Sequence, residues 1–193
     1  MLRLLACCIA GIVSLRAQVF EIGMHGGVSR LSSRDIGTLT VDGTDRVTLS
    51  DGFRFGFRLT LNNWAYFGHE MGYGYNRTQF EYGSPKQQIG TAIHQGIYNF
   101  LVYATPEGKR VRPFATGGGQ FSNFIFPGGS VQYGGGSNKF GFNVGGGVKV
   151  RVSEKFLIRL DGRQYWSGKP FDLPNQSGMI KLLEISAGFS FVM

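Results

Sequence analysis

Between Gly52 and Leu61 the chain alternates without a break. Phe53, Phe55, Phe57, Leu59 and Leu61 hold the odd positions; Arg54, Gly56, Arg58 and Thr60 hold the even ones. A β-strand sends successive side chains to opposite faces, so this segment has one wholly apolar face and one face with two arginines. The pattern recurs and predicts eight strands: Val19–Leu31, Gly52–Leu61, Trp64–Asn76, Ile89–Ala104, Arg112–Phe121, Lys139–Val152, Phe156–Trp166 and Ile180–Met193. In the first, Phe20, Ile22, Met24 and Val28 oppose Glu21, Gly23, His25 and Gly27. In the last, Ile185, Ala187, Phe189 and Phe191 oppose Glu184, Ser186, Gly188 and Ser190.

The connections alternate as well. Long ones (Ser32–Ser50, Arg77–Gln88, Ser122–Asn138, Ser167–Gly178) take turns with short ones at Asn62-Asn63, Thr105–Val111 and Ser153–Lys155. An up-and-down barrel with one crowded end has this signature. Its strands are long enough to cross a bilayer at a tilt, which takes about 9–11 residues; strands of soluble proteins average about five or six. The expected fold is therefore all-β: an eight-stranded antiparallel up-and-down transmembrane β-barrel, one domain over residues 18–193, with both termini periplasmic and the four long loops outside. Gly56, Gly72, Gly74, Gly117, Gly119, Gly145, Gly147 and Gly188 are expected to face inward beside long side chains. Trp64, Tyr66, Tyr75, Tyr103 and Trp166 are expected at the membrane interfaces.

The first seventeen residues change the setting. Met1-Leu2-Arg3 is a basic start, Leu4–Val13 an apolar run, and Ser14–Ala17 ends on a small residue. This predicts a secretory signal peptide over residues 1–17, cleaved before Gln18, whose apolar run is too short to span a membrane. Leu4-Leu5-Ala6-Cys7 has the local pattern of a lipoprotein signal, but its cysteine comes before a full apolar stretch. Cys7 and Cys8 both lie in this segment, so the exported chain has no disulfide to stabilise it. The whole sequence holds 20 basic and 12 acidic residues. Without Arg3 and Arg16 the balance is 18 to 12, a net charge of +6. An exported cationic chain meets lipid and lipopolysaccharide phosphates rather than nucleic acid. Those lipids are the expected partners, together with an extracellular ligand of the long loops. The barrel is expected to be a monomer.

With the strands in place, the sequence resembles the OmpA/OmpX-type eight-stranded outer-membrane barrels, the outer membrane protein beta-barrel domain group. The residues that carry the resemblance are the signal, Arg112–Gly119, Gly141–Lys149, Arg159–Arg163 and the closing Ile185–Met193. There are two departures. Met193 stands where the group usually ends in an aromatic residue, and the sequence runs no further than the barrel, so no cell-wall tether is expected. The resemblance implies an outer-membrane location in a Gram-negative envelope, no cofactor, and a non-enzymatic structural, adhesin-like or surface-interaction role. A narrow ion-conducting pore is the alternative, and a lipid A-modifying enzyme a third.

The candidate chemistry lies on the polar faces. Arg54, Arg58, Glu70, Lys149, Arg151, Arg159, Asp161, Arg163 and Glu184 share the predicted lumen. Charges withdrawn from water must pair, so the plain reading is a salt-bridge plug that fixes register. The functional reading is a gated ion path. Catalysis by a nucleophile needs a base beside it, and no His of this chain stands two residues from a Ser on a strand. His25 reads inward. His69 and His94 read outward on neighbouring strands, at heights that would let them face each other across a metal. The glycine runs Gly117–Gly119, Gly134–Gly136 and Gly145–Gly147 lack the Gly-Lys-Ser/Thr ending of a phosphate loop.

An apolar outer wall makes folding depend on detergent or lipid. Unboiled and boiled samples are expected to migrate differently on a denaturing gel; a folded monomer in plain buffer would refute the membrane assignment.

Overall fold

The computed structural model describes residues 19–32, 34–126 and 136–193. The segment read as a signal lies outside them. Ten strands follow in order: β1 (Val19–Leu31), β2 (Asp35–Thr38), β3 (Arg46–Leu49), β4 (Gly52–Asn62), β5 (Phe67–Tyr82), β6 (Gln87–Tyr103), β7 (Val111–Ile125), β8 (Gly136–Ser153), β9 (Phe156–Gly168) and β10 (Met179–Val192). Eight of them, β1 and β4 to β10, pair with their neighbours in antiparallel register. Pairing of β5 with β6 and of β1 with β10 closes the cylinder. Closure gives every barrel strand a partner on both sides, a condition lipid imposes because it offers backbone groups no hydrogen bond.

The alternation sets the two faces. Phe53, Phe55 and Phe57 are each about half exposed, whereas Arg54 and Arg58 are 2% and 4% exposed. The apolar outer wall has sharp limits at the end that carries the long connections. On β1 it covers Phe20–Val28 and stops at Arg30; on β4 it covers Phe53–Leu61 beyond Asp51. On β5 it covers Phe67–Tyr75 and stops at Arg77; on β10 it covers Leu183–Phe191 beyond Lys181. At about 3.3 Å per residue and the usual tilt, each run is roughly 20–25 Å tall, the height of a lipid-facing band.

Above this band the structure departs from the predicted loops. Ser32–Ser50 contains the β2–β3 hairpin, and β3 takes over from β4 as the partner of β5, with Leu49 opposite Phe80 and Val47 opposite Tyr82. The chain bends at Ser50–Asp51, where Ser50 N–H donates to the Gln79 carbonyl at 3.0 Å. β5 and β6 run on past Arg77 to Tyr82 and Gln87, so only Gly83–Lys86 separates them. The Ser122–Asn138 and Ser167–Gly178 connections are shortened in the same way by β7, β8 and β9. The physical reason is an apolar cluster inside this end. Ile36, Val47, Leu49, Phe80, Ile93, Phe124, Ile180 and Leu182 are buried together, with Phe171 and Leu173 packed on them. Isolated apolar residues in polar stretches gave no periodic signal; they form strands because they share this core.

At the other end the first turn is Asn63–Tyr66, not Asn62-Asn63, and β5 starts at Phe67 rather than Trp64. Tyr103 does not join an interfacial belt. It is 3% exposed, facing the lumen. Trp166 does face outward and stacks on Phe142 with ring centroids 4.9 Å apart. Gly117 and Gly119 lie on the outer face. Gly118 is the inward one, where a Cβ would meet Asn99 Oδ1 at 2.5 Å.

Trypsin on intact cells is expected to cut at Lys86, in the turn between β5 and β6, and to spare Lys109 and Arg110, in the turn between β6 and β7. Cleavage at Lys109 or Arg110 alone would invert the topology.

Candidate functional site

Inward side chains of β4, β5, β9 and β10 converge in the lumen and bring four arginines and three carboxylates together. Arg58 reaches two acids at once, Asp161 at 2.8 Å and Glu184 at 2.8 Å, with Glu70 at 3.9 Å. Arg159 pairs with Asp161 at 2.6 Å and with Glu70. Arg163 pairs with Glu70 at 2.5 Å and Asp161 at 3.3 Å. Arg54 Nε stands 3.0 Å from Glu184, and its guanidinium lies 4.8 Å from the centre of the Tyr165 ring. Neutral groups fill remaining valences: the Tyr165 hydroxyl donates to Glu184 at 2.6 Å, Ser186 to Glu184 at 2.7 Å, and Thr60 to Glu70 at 3.2 Å. Glu70, Arg163 and Glu184 are wholly buried. Gly74 makes room for this arrangement, because a Cβ there would stand 2.7 Å from Arg54 Cζ.

Seven of the nine predicted charges thus meet in one network. Lys149 belongs to a second, smaller one nearer the turn end. Its ammonium donates to Glu21 at 2.6 Å and to the Tyr103 hydroxyl at 2.9 Å, while Asn62 donates to Glu21 at 2.8 Å. Arg151 is outside both. It is partly exposed at the barrel mouth and pairs with Glu107 at 3.0 Å. The register shifts between Arg151 and Ser153, and the strand there has already passed the lipid band. Glu107 also holds Arg112, whose guanidinium lies 3.6 Å from the centre of the Tyr103 ring.

Several lumen residues escaped the sequence reading. Asn62, Tyr103, Arg112 and Tyr165 stand at inward positions, of which period two alone would have found Tyr165; Glu21, on the polar face of the first strand as its alternation predicts, joins them as a further lumen charge. Asn99 of β6 and Asn143 of β8 bond each other at 2.9 Å over Gly118 of the intervening β7, a contact only the register reveals.

The histidines do not form a metal pair. His69 lies opposite Phe100 and His94 opposite Tyr75, six residues apart along β5, roughly 20 Å at strand spacing. Each is bonded instead to a tyrosine hydroxyl, His69 to Tyr98 at 3.0 Å and His94 to Tyr73. His25 is buried with neither ring nitrogen hydrogen-bonded, and its Nε2 lies 3.6 Å from Glu184. Among the described residues no group of three or more His, Cys, Asp or Glu is placed to hold a metal ion.

The networks leave little space. The cavity beside Arg58 and Arg159, bordered by His25, Gly188 and Ser190, has a volume of about 10 Å³, room for a single water at most. Above it the apolar cluster fills the loop end. This arrangement can hold eight strands in register, and Arg58, placed among three carboxylates, can exchange partners.

Comparison with known proteins agrees with the architecture. Residues 4–191 match the family model described as outer membrane protein beta-barrel domain. Similar solved structures include OprG from Pseudomonas aeruginosa (12% identity, 91% of this chain, 97% of that chain, TM-score 0.65). Neisserial surface protein A is another (13% identity, 90% and 96%, TM-score 0.60). A third is Ail, the attachment invasion locus protein of Yersinia pestis, in complex with the heparin analogue sucrose octasulfate (13% identity, 91% and 99%, TM-score 0.52). No curated protein matches the chain in sequence.

Removing Asp161 would leave Arg58, Arg159 and Arg163 facing one another around a lost anion. Asp161→Ala is expected to cost about 3–5 kcal/mol in urea unfolding in micelles, as for other broken buried pairs. Arg46→Ala, which breaks an exposed 3.9 Å contact with Asp35, is expected to cost at most about 1 kcal/mol. Equal midpoints for the two variants would show that Asp161 is solvated.

Proposed function

The chain belongs to the outer membrane protein beta-barrel domain family, and from that premise we propose that it is a non-enzymatic surface-interaction protein with a closed lumen. The single observation that carries this reading is the filling of the barrel at two levels, by the arginine–carboxylate network and by the apolar cluster above it. A barrel of eight strands has an interior that side chains can fill, and here they leave about 10 Å³ beside the network. So tight a filling of the described lumen favours a closed barrel over an open channel. Interaction then falls to the loop end, which we place outside the cell.

Among the described residues of that end, three cations are closely paired with carboxylates. Arg34 pairs with Asp51 at 2.7 Å, Lys86 with Glu81 at 2.6 Å and Lys139 with Asp172 at 2.7 Å. These three cations are thus already held by carboxylates, which weakens them as anchors for a polyanion such as the heparin analogue seen on Ail. The tip of the β2–β3 hairpin instead offers Leu39 and Val41, 44% and 83% exposed. An apolar tip on a paired-charge frame suits contact with a protein surface.

A second reading rests on Arg58. Its three acidic neighbours would let it swing between partners, as a gate in a narrow ion path would require.

Planar-bilayer recording separates the two readings. The closed barrel is expected to show no steady current, both as wild type and as Asp161→Asn; steady current in the wild type, or its appearance only in the variant, would support the gated path. For the surface role, replacing Leu39–Asp45 with a two-residue turn is expected to keep the heat-dependent gel shift. The same change should abolish adhesion of expressing cells to immobilised extracellular-matrix protein. Unchanged adhesion would remove the hairpin from the contact surface.

A further inference from the structure

We propose that the outer wall around β5, β6 and β7 carries a binding site for one phosphorylated, multiply acylated lipid of the outer leaflet, of the lipid A class. The site has a head region and a tail region stacked along the strands. Arg77 forms the head. It points outward at the upper limit of the apolar band on β5, and no carboxylate lies within ion-pair distance of it among the described residues. Its guanidinium lies over Gly90 of β6: a Cβ there would stand 3.1 Å from Arg77 Cζ. Only glycine lets the cation lie flat against the wall in this way. A recess of about 280 Å³ opens beside it, bordered by Phe53, Gln79 and Gly90. The acid at its edge, Asp51, is engaged by Arg34 at 2.7 Å.

The tail region starts four residues lower on β5, roughly 13 Å along the strand. It is a groove of about 610 Å³ on the lipid-facing wall. Gly96 and Gly119 form its floor, and a side chain at either would meet nothing within 4 Å. Tyr73, Tyr98, Phe121 and Phe140 form its walls. Between head and groove the Tyr73 hydroxyl is bonded to His94, whose ring meets Tyr75 with centroids 5.3 Å apart. These polar tips stand at the depth where a lipid's ester groups would lie. The order from top to bottom is cation, polar aromatic pair, apolar groove, which matches phosphate, ester and acyl chain in turn. Lipid phosphates attract surface cations, and a groove shaped for a chain adds selectivity that charge alone does not.

The site rests on the outer-membrane placement, with the loop end outside, and deepens the expectation of a lipid partner. It is independent of whether the lumen conducts and of what the hairpin touches. The test is native mass spectrometry of the barrel in dodecyl maltoside, titrated with bisphosphorylated hexa-acyl lipid A or with dioleoyl phosphatidylglycerol. Wild type is expected to retain one lipid A in preference to phosphatidylglycerol. Arg77→Gln should weaken lipid A retention roughly fivefold, the equivalent of one lost phosphate contact. Gly119→Leu, which fills the groove, should weaken it at least as much while keeping the heat-dependent gel shift. Gly96→Leu fills the same groove from β6 and replaces it should Gly119→Leu not refold. Lys181→Gln, an outward cation on β10 away from the groove, should leave binding unchanged. The proposal falls if Arg77→Gln and the groove variant bind lipid A like wild type. It also falls if Lys181→Gln loses as much as Arg77→Gln, or if phosphatidylglycerol is held as tightly as lipid A.

Discussion

A wall that faces lipid reverses the usual relation between surface and interior. Apolar side chains turn outward on every barrel strand, and what remains for the inside is mostly polar, charged or glycine, with Ile97, Leu101, Phe114 and Leu157 as buried apolar members. With no water to take up stray backbone donors and acceptors, the sheet must close. With little water in the lumen, the charges must neutralise one another. The Arg54–Arg58–Glu70–Arg159–Asp161–Arg163–Glu184 network follows from these two demands. Its members come from four strands, β4, β5, β9 and β10, so the pairs of Arg58 with Asp161 and Glu184, and of Arg159 and Arg163 with Glu70, also constrain register between strands far apart in sequence.

The interior is layered along the barrel axis. At the turn end Glu21, Lys149, Tyr103 and Asn62 form a small bonded group. The arginine–carboxylate network sits above it, and an apolar cluster sits above that. The uppermost layer lies beyond the lipid band, where Arg30, Arg77 and Lys181 mark the boundary on the outer wall. There the protein returns to the arrangement of a soluble domain, with apolar residues inside and charges outside. That return explains why β5 and β6 continue as paired strands and why the β2–β3 hairpin joins them. They share a buried core that the loops alone would lack.

This division also assigns roles. The middle of the barrel is occupied by its own structural charges. On the proposed reading, contact with other molecules is left to the projecting sheet and to the outer wall. On that wall the glycines matter as much as the aromatics. Gly90 lets Arg77 lie flat, and Gly96 and Gly119 open a groove among Tyr73, Tyr98, Phe121 and Phe140.

Period-two alternation by itself determined the fold class, the eight barrel strands and which face of most of them holds the charges. It did so because lipid penalises every misplaced polar group, so the pattern is kept on each strand. Arg54, Arg58, Glu70, Arg159, Asp161, Arg163 and Glu184 were legible as inward residues for that reason. Tertiary structure alone decided who pairs with whom. Register put Arg58 between Asp161 and Glu184, left Arg151 at the mouth with Glu107, and set His69 and His94 six residues apart on the wall. It also turned Gly117 and Gly119 outward, because a run of glycines carries no alternation to read. The loop-end strands stayed hidden for a related reason: above the lipid band burial comes from contacts between distant segments, such as Leu49 with Phe80, and no local period records those.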